Sequence, residues 1–223
     1  NHITAQLYED IGIITSDDEI GADATDLFNY LTGYSSKEEY HKLLLAPLQL
    51  RDKFRDFINQ EIDHQEKHKD GRIILKMNAL VDEEMIRLLY LASQAGVKID
   101  LLIRGICCLC PGIKGLSENI RVISVLGRYL EHSRIYYFHN HGKEIILMGS
   151  ADLMPRNLNQ RVEVLFPVEN EEMIRHIRED ILEIYLRDDV KGWLMQPDGS
   201  YERIEESKER ELIDIQQWFL NQR

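Results

Sequence analysis

The chain has 223 residues, of which 43% are hydrophobic and 30% charged, a balance that excludes disordered and fibrous classes and suits one large or two modest globular domains. No apolar run approaches the roughly 18–20 residues that span a bilayer, and the first residues lack a basic start followed by an apolar stretch, so a cytoplasmic protein is expected. The net charge of −12 argues against indiscriminate nucleic-acid binding, yet between Lys98 and Arg161 nine Lys/Arg stand against five Asp/Glu, a locally basic segment able to focus a phosphate-bearing ligand.

The first forty residues do not read as the start of a domain. Ile11–Thr15 is a short apolar, β-branched run with the pattern of a strand, and the acidic segment after it carries helical spacing at Ile20, Leu27 and Leu31. A short strand and one helix cannot bury themselves, so residues 1–38 are expected to be the remnant of a preceding domain, with Gly33-Tyr34-Ser35-Ser36 as hinge. From Leu43 the pattern becomes regular. Leu43–Leu50 predicts a strand, and Arg51–Lys67 an amphipathic helix with Phe54, Phe57, Ile58 and Ile62 on one face. Arg72–Asn78 predicts a second strand, Asp82–Gln94 a helix with Met85, Ile86 and Leu89 inward, and Val97–Ile103 a third strand. Such alternation implies a parallel sheet, whose ligands favour the carboxyl ends of the strands, here Asn78 and Arg104.

Arg104-Gly105 opens the loop Ile106–Asn119. An arginine where a strand stops is placed to grip phosphate oxygens with its planar fork. The loop holds the chain's three cysteines, Cys107, Cys108 and Cys110. Their closeness and odd number point to reduced thiols, and adjacent cysteines cannot readily share one tetrahedron, even with His139 or His141 added, so no metal centre is expected. Consecutive strand patterns follow at Arg121–Val125, Ile135–His139, Glu144–Met148 and Val162–Val168, then a helix over Glu171–Leu186, a turn at Pro197-Asp198-Gly199 and a charged helix over Glu205–Leu220 with Leu212, Ile215, Trp218 and Phe219 as its docking face. An antiparallel hairpin made by Ile135–His139 and Glu144–Met148 would bring His132 and Arg134 towards the Gly149-Ser150-x-Asp152 turn. Arg134, Arg156, Ser150 and Asn157 would then surround one small anion.

These motifs together support a resemblance. Thr4-Ala5-x-Leu7-Tyr8, Leu75-Lys76-x-Asn78-x-Leu80-Val81-Asp82, Arg104-Gly105-Ile106-Cys107, Pro111-Gly112-Ile113-x-Gly115, Ser117-Glu118-Asn119-Ile120-Arg121, Arg128-Tyr129-Leu130-Glu131-His132 and Ser150-Ala151-Asp152-Leu153-Met154-x-Arg156-Asn157 resemble the C-terminal half of bacterial polyphosphate kinases, members of the phospholipase-D-like superfamily. The resemblance covers Thr4 to about Asp189. It implies an α/β fold, a phospholipase-D-like half with a mixed parallel/antiparallel sheet flanked by helices. It divides the chain into a remnant (1–38), a C-terminal phospholipase-D-like domain (39–189) and an acidic tail with a C-terminal helix (190–223).

The family moves the terminal phosphate of ATP reversibly onto polyphosphate through a phosphohistidine, with Mg²⁺. By carry-over Tyr8 resembles the tyrosine that contacts the nucleotide. Arg104 and His132 resemble the catalytic, phosphate-binding pair of the second half, and Arg134, Ser150 and Asn157 complete the expected ATP and phosphate contacts. The phosphorylated histidine and the Mg²⁺-binding residues are expected upstream of this chain, so His132 takes a supporting role, and the fragment alone is expected to be inactive. The implied partners are ATP, ADP and inorganic polyphosphate, in a homo-oligomer, without nucleic acid or an integral membrane segment, in the cytoplasm or peripheral at the inner membrane. The phospholipase-D pattern has lysine two residues after the histidine and aspartate seven after it; Arg134 and His139 stand there instead. Two alternatives stay open: a phosphodiesterase or nuclease, and a non-catalytic module that binds ATP or polyphosphate.

Overall fold

RIILKM and KIDLLI each hold three consecutive apolar residues, at 73–75 and 101–103, so a strand made from either turns apolar side chains to both faces and needs cover on each. The structure, a computed structural model, describes residues 6–34, 39–205 and 211–222. In chain order, strand β1 (Tyr8–Glu9) and helix α1 (Asp18–Leu31) lead to β2 (Leu44–Ala46), α2 (Leu50–His68), β3 (Arg72–Met77), α3 (Glu83–Ala95) and β4 (Lys98–Ile103). A long loop reaches β5 (Ile120–Val125), β6 (Leu130–Glu131), β7 (Ile135–Phe138), β8 (Ile145–Gly149), α4 (Pro155–Asn159) and β9 (Glu163–Val168). The next helix runs as α5 (Glu171–His176), a π-helical stretch Ile177–Leu182 and α6 (Glu183–Tyr185), before β10 (Gly192–Met195), β11 (Tyr201–Arg203) and α7 (Ile215–Asn221).

Among the described residues the main sheet has nine strands in the order β11-β10-β5-β4-β3-β7-β8-β9-β2, and β1 and β6 form a separate two-stranded sheet. β3, β4 and β5 are parallel, whereas β7, β8, β9, β2 and the β10–β11 hairpin run antiparallel to their neighbours. The α/β class with a mixed sheet is therefore present as expected. One face of the sheet, with Ile73, Leu75, Ile99, Leu101 and Val122, packs against Phe54 and Ile58 of α2 and Met85 and Leu89 of α3. The other, with Ile74, Leu102, Ile123 and Tyr137, packs against Ile177, Ile181, Tyr185 and Ile215. Both faces are thus buried at the centre.

Several expectations need correction. Ile11–Thr15 forms no strand, and Ile14 is 99% exposed; β-branched residues favour a strand only where a neighbouring edge pairs with it. β5, which the sequence groups with the hairpins, lies parallel to β4. The segment set apart as an acidic tail extends the sheet through β10, with Trp193 opposite Ser124. Among the described residues of the helix expected over Glu205–Leu220, helix begins at Ile215 and runs to Asn221, because Asp214 caps it by accepting the Gln217 N–H and Ile213 is tied to Asp189. Residues 206–210, within that expected helix, and Ser35 and Ser36 of the expected hinge lie outside the described residues.

The amino-terminal segment docks through polar contacts. Asp23, in the middle of α1 and fully buried, accepts the backbone N–H groups of His41, Lys42 and Leu43. Lys42 Nζ reaches Asp17 at 2.7 Å and Glu169 at 2.6 Å. Phe28 and Leu31 of the same helix stay exposed.

Candidate active site

One end of the central strands collects Tyr8, Arg104, His132 and Arg134, and topology explains why. β3 and β4 end there with Asn78 and Arg104, and β7, antiparallel to β3, begins there with Ile135 opposite Lys76. β8 ends there too, Met148 lying opposite Ile135. The hairpin therefore brings His132 and Arg134 to the turn that holds Asp152, as the sequence expects. Gly105 is required at this end: its N–H donates to the Asn78 carbonyl at 2.9 Å, and an added Cβ would lie 2.8 Å from that oxygen.

Asn78 is the hub. Its Oδ1 accepts Arg104 Nε at 3.0 Å and Nη2 at 2.9 Å, its backbone N–H donates to Asp152 Oδ1 at 2.8 Å, and its Nδ2 donates to the His132 carbonyl at 3.4 Å. Arg134 spans the other side. It forks onto the Asp152 carboxylate through Nε at 3.1 Å and Nη2 at 3.2 Å, and donates to the His132 carbonyl through Nη1 at 3.0 Å. Both members of this ion pair are nearly buried, so the charges must be matched by geometry. The Arg134 guanidinium is thereby largely committed to fixing the His132 loop, while Arg104 keeps donors beyond those used by Asn78.

His132 itself is 29% exposed at the side chain. Its Nδ1 lies 3.0 Å from Asp10 Oδ1, its Nε2 lies 3.4 Å from Arg134 Nη1, and the Tyr8 ring packs edge-on against it at 4.7 Å between centroids. With Asp10 accepting, Nδ1 carries a proton; Nε2 without one can only accept, as from Arg134 Nη1, and donates to a phosphate oxygen only as part of an imidazolium. Beneath the loop, Lys76 bridges Glu9 and Glu131 at 3.2 Å each. Burial alone would raise the Glu9 carboxyl, but Lys76 and hydrogen bonds from Ser133 outweigh it and hold it below the ordinary value. Beside Arg104 a cleft of about 290 Å³ opens, walled by Gly105, Ser124, Leu126, Trp193 and Tyr201.

Tyr8, Arg104, His132 and Arg134 therefore come together. Ser150 and Asn157 do not touch this cluster. Ser150 Oγ accepts the Val164 N–H at 3.1 Å, and Asn157 Nδ2 donates to Glu163, so both are bound to β9 or its first residue. Arg156 is exposed on α4. Of the partners, Asn78 is expected as a strand end that ligands favour, and Asn78 and Asp152 stand within the family motifs, but the sequence assigns no contact to Asn78, Asp152 or Asp10. The carboxylates at this end, Asp10 and Asp152, are engaged by His132 and by Arg134 with Asn78, and no group of three metal-ligating side chains occurs among the described residues. This donor set does not fit a Mg²⁺ site.

Residues 43–216 match the family model described as polyphosphate kinase C-terminal domain 2, and residues 1–37 match polyphosphate kinase C-terminal domain 1. The chain belongs to the polyphosphate kinase family. The polyphosphate kinase of Prosthecochloris aestuarii is 50% identical over 222 residues, covering 100% of this chain and 31% of that protein. The polyphosphate kinase of Synechocystis is 55% identical over 201 residues, 90% of this chain and 28% of that protein. The crystal structure of polyphosphate kinase from Porphyromonas gingivalis superimposes with a TM-score of 0.89 at 38% identity, covering 93% of this chain and 32% of that one. The chain thus spans about 30% of the length of the polyphosphate kinases it matches. The phospholipase D family member Nuc from Salmonella typhimurium superimposes with a TM-score of 0.50 at 13% identity, over 70% of this chain and 97% of Nuc, which shows a shared fold. Among the described residues no helix is long and apolar enough to cross a membrane.

Proposed function

We propose that this chain is the second catalytic half of a polyphosphate kinase that transfers the terminal phosphate of ATP reversibly to polyphosphate, through a phosphohistidine carried upstream of it. The observation that supports this reading is the joining of Arg104, Arg134 and His132 through Asn78 and Asp152 at one end of the central strands. In this reading residues 1–38 close a preceding domain and residues 39–189 form the second, with β10, β11 and α7 enlarging its sheet.

The chemistry follows from charge. A phosphoryl group in transit spreads negative charge over its equatorial oxygens, so catalysis is mostly positioning and electrostatic stabilisation. Arg104, steadied by Asn78, supplies fixed positive charge. His132, held by Asp10 at Nδ1, binds the phosphate as an imidazolium through Nε2 and exchanges a proton there. Tyr8 contacts the nucleotide. Ser150 and Asn157 serve the phosphate chain indirectly, by anchoring the turn of Asp152 to β9. Mg²⁺ is held by residues of the upstream half.

In the full-length protein, Arg104→Ala and His132→Ala are each expected to lower ATP-to-polyphosphate turnover by orders of magnitude while circular dichroism stays unchanged. Wild-type rates in both would remove these residues from the site. The chain by itself is expected to make no polyphosphate from ATP and Mg²⁺, and sustained synthesis by the purified piece would contradict the division of labour.

A further inference from the structure

Lys76 lies in the middle of the sheet with 3% of its surface exposed, where an ammonium group must be paired to remain charged. Its Nζ is 2.8 Å from Ser133 Oγ, 3.2 Å from Glu9 Oε2 and 3.2 Å from Glu131 Oε2, and sits 4.8 Å from the centroid of the Tyr185 ring. Glu9 belongs to the stretch matched by C-terminal domain 1; Lys76, Glu131 and Ser133 belong to C-terminal domain 2. The amine therefore joins the two family domains.

The ladder between them is short. Among the described residues β1 and β6 share two register pairs, Tyr8↔Leu130 and Glu9↔Glu131, and the second pair sets two carboxylates side by side. Like charges directly opposite destabilise a strand pair unless a cation lies between them. Each carboxylate has other donors. Glu131 also accepts from Gln216 Nε2 at 2.7 Å and from the Tyr185 hydroxyl. Glu9 otherwise relies on Ser133 and the His132 N–H, the latter at 3.3 Å. Without the amine the repulsion between Glu9 and Glu131 is uncompensated, and Glu9, carried on the two-residue strand β1, is the side that gives way. The neighbours of Glu9 in the chain are Tyr8 and Asp10, which touch the His132 ring from one side while Arg134 Nη1 meets its Nε2.

We propose that Lys76 is a positioning residue of the phosphate-transfer site: its buried amine latches Glu9 to Glu131 and Ser133, and by doing so seats Tyr8 and Asp10 against His132. Its catalytic consequence rests on the role given above to His132; the latch itself does not. The test is the ¹⁵N resonance of His132 Nδ1 in this chain, recorded on the alkaline plateau of that resonance's own pH titration. In the unsubstituted chain Nδ1 is expected to carry the proton. In Lys76→Met the Nδ1 resonance is expected to move towards that of an unrestrained tautomer mixture, while hydrogen-exchange protection in α2 and α3 is retained.

An unmoved Nδ1 resonance in folded Lys76→Met would overturn the latch. Should that variant fail to fold, Glu9→Gln removes the same ion pair from the other side, and an unmoved resonance there overturns the proposal equally. In the full-length protein, Lys76→Met is expected to lower kcat by roughly a hundredfold, the cost of an ångström-scale misplacement, with the KM for ATP little changed. A moved Nδ1 with unchanged kcat would count against the role of His132, and leave the latch supported.

Discussion

Asn78 Oδ1 accepts two hydrogen bonds from a single guanidinium, Arg104 Nε at 3.0 Å and Nη2 at 2.9 Å. The carboxamide thereby fixes the plane of the arginine fork, which a lone carbonyl bond would leave free to turn. Asn78→Ala keeps the charge of Arg104 and removes its orientation. In the full-length protein this variant is expected to lose about a hundredfold in kcat while retaining most of its ATP affinity, because misalignment costs the transition state more than the bound ground state. Steady-state kinetics with ATP varied would separate the two terms, and a loss confined to KM would contradict this role.

Asp152 holds two elements at once, the Arg134 fork and the backbone N–H of Asn78. Asp152→Ala leaves a nearly buried guanidinium without its counter-ion, and breaking such a pair typically costs about 3–5 kcal/mol. Asp152→Asn retains an acceptor for the Asn78 N–H and should cost less. Urea unfolding of this chain measures both, and equal midpoints for wild type and Asp152→Ala would show that the pair is not structural.

How much of this was legible in the sequence depends on the distance over which each contact acts. β3, α3, β4, β7, β8 and β9 follow from local apolar patterns, and Arg104 and His132 from their places at strand ends and from the literal motifs around them. β1 and β10 were not legible, because runs as short as two or four residues acquire strand geometry only from a neighbouring edge. The hub escaped for a similar reason. Asn78 is 26 residues from Arg104 and 74 from Asp152, and no local pattern tells a carboxamide which guanidinium it will meet. Ser150 and Asn157 follow from the expected hairpin and its turn, which do not reveal that β9 takes up their hydrogen bonds.

Four carboxyls set opposing trends with pH. Burial acts to raise Asp23 and Glu9, but backbone N–H donors in the first case and Lys76 with Ser133 in the second bring both below their ordinary values. Their stabilisation is complete above the unfolded pKa, near 4, and is lost as pH falls through the depressed native values. Burial dominates at Glu61 and Asp188 and raises both; their contribution is complete below the unfolded pKa and is lost as pH rises through the raised ones. Mild acid should therefore loosen α1 and β1 before the central sheet. Hydrogen exchange between about pH 5 and pH 3, corrected for intrinsic rates, is expected to show the amides of His41, Lys42 and Leu43 losing protection ahead of β3 and β4. Earlier loss in β3 and β4 would reverse this order.

Arg104→Lys separates charge from shape at the strand end. Lysine keeps a positive charge near the site but offers a compact ammonium in place of a planar fork, so it cannot reproduce the paired bonds to Asn78 Oδ1 while also facing a phosphate. If Arg104 acted only as a local charge attracting ATP, the lysine variant of the full-length protein would retain turnover and show a KM that rises with salt as in wild type. Because the fork is held on one face by Asn78 and its other donors remain for phosphate oxygens, kcat is instead expected to fall at least about tenfold in Arg104→Lys, approaching the Arg104→Ala value, with similar salt dependence of KM in both the lysine variant and wild type. Turnover in Arg104→Lys close to wild type would reduce Arg104 to a point charge and leave the Asn78 hub without a catalytic purpose.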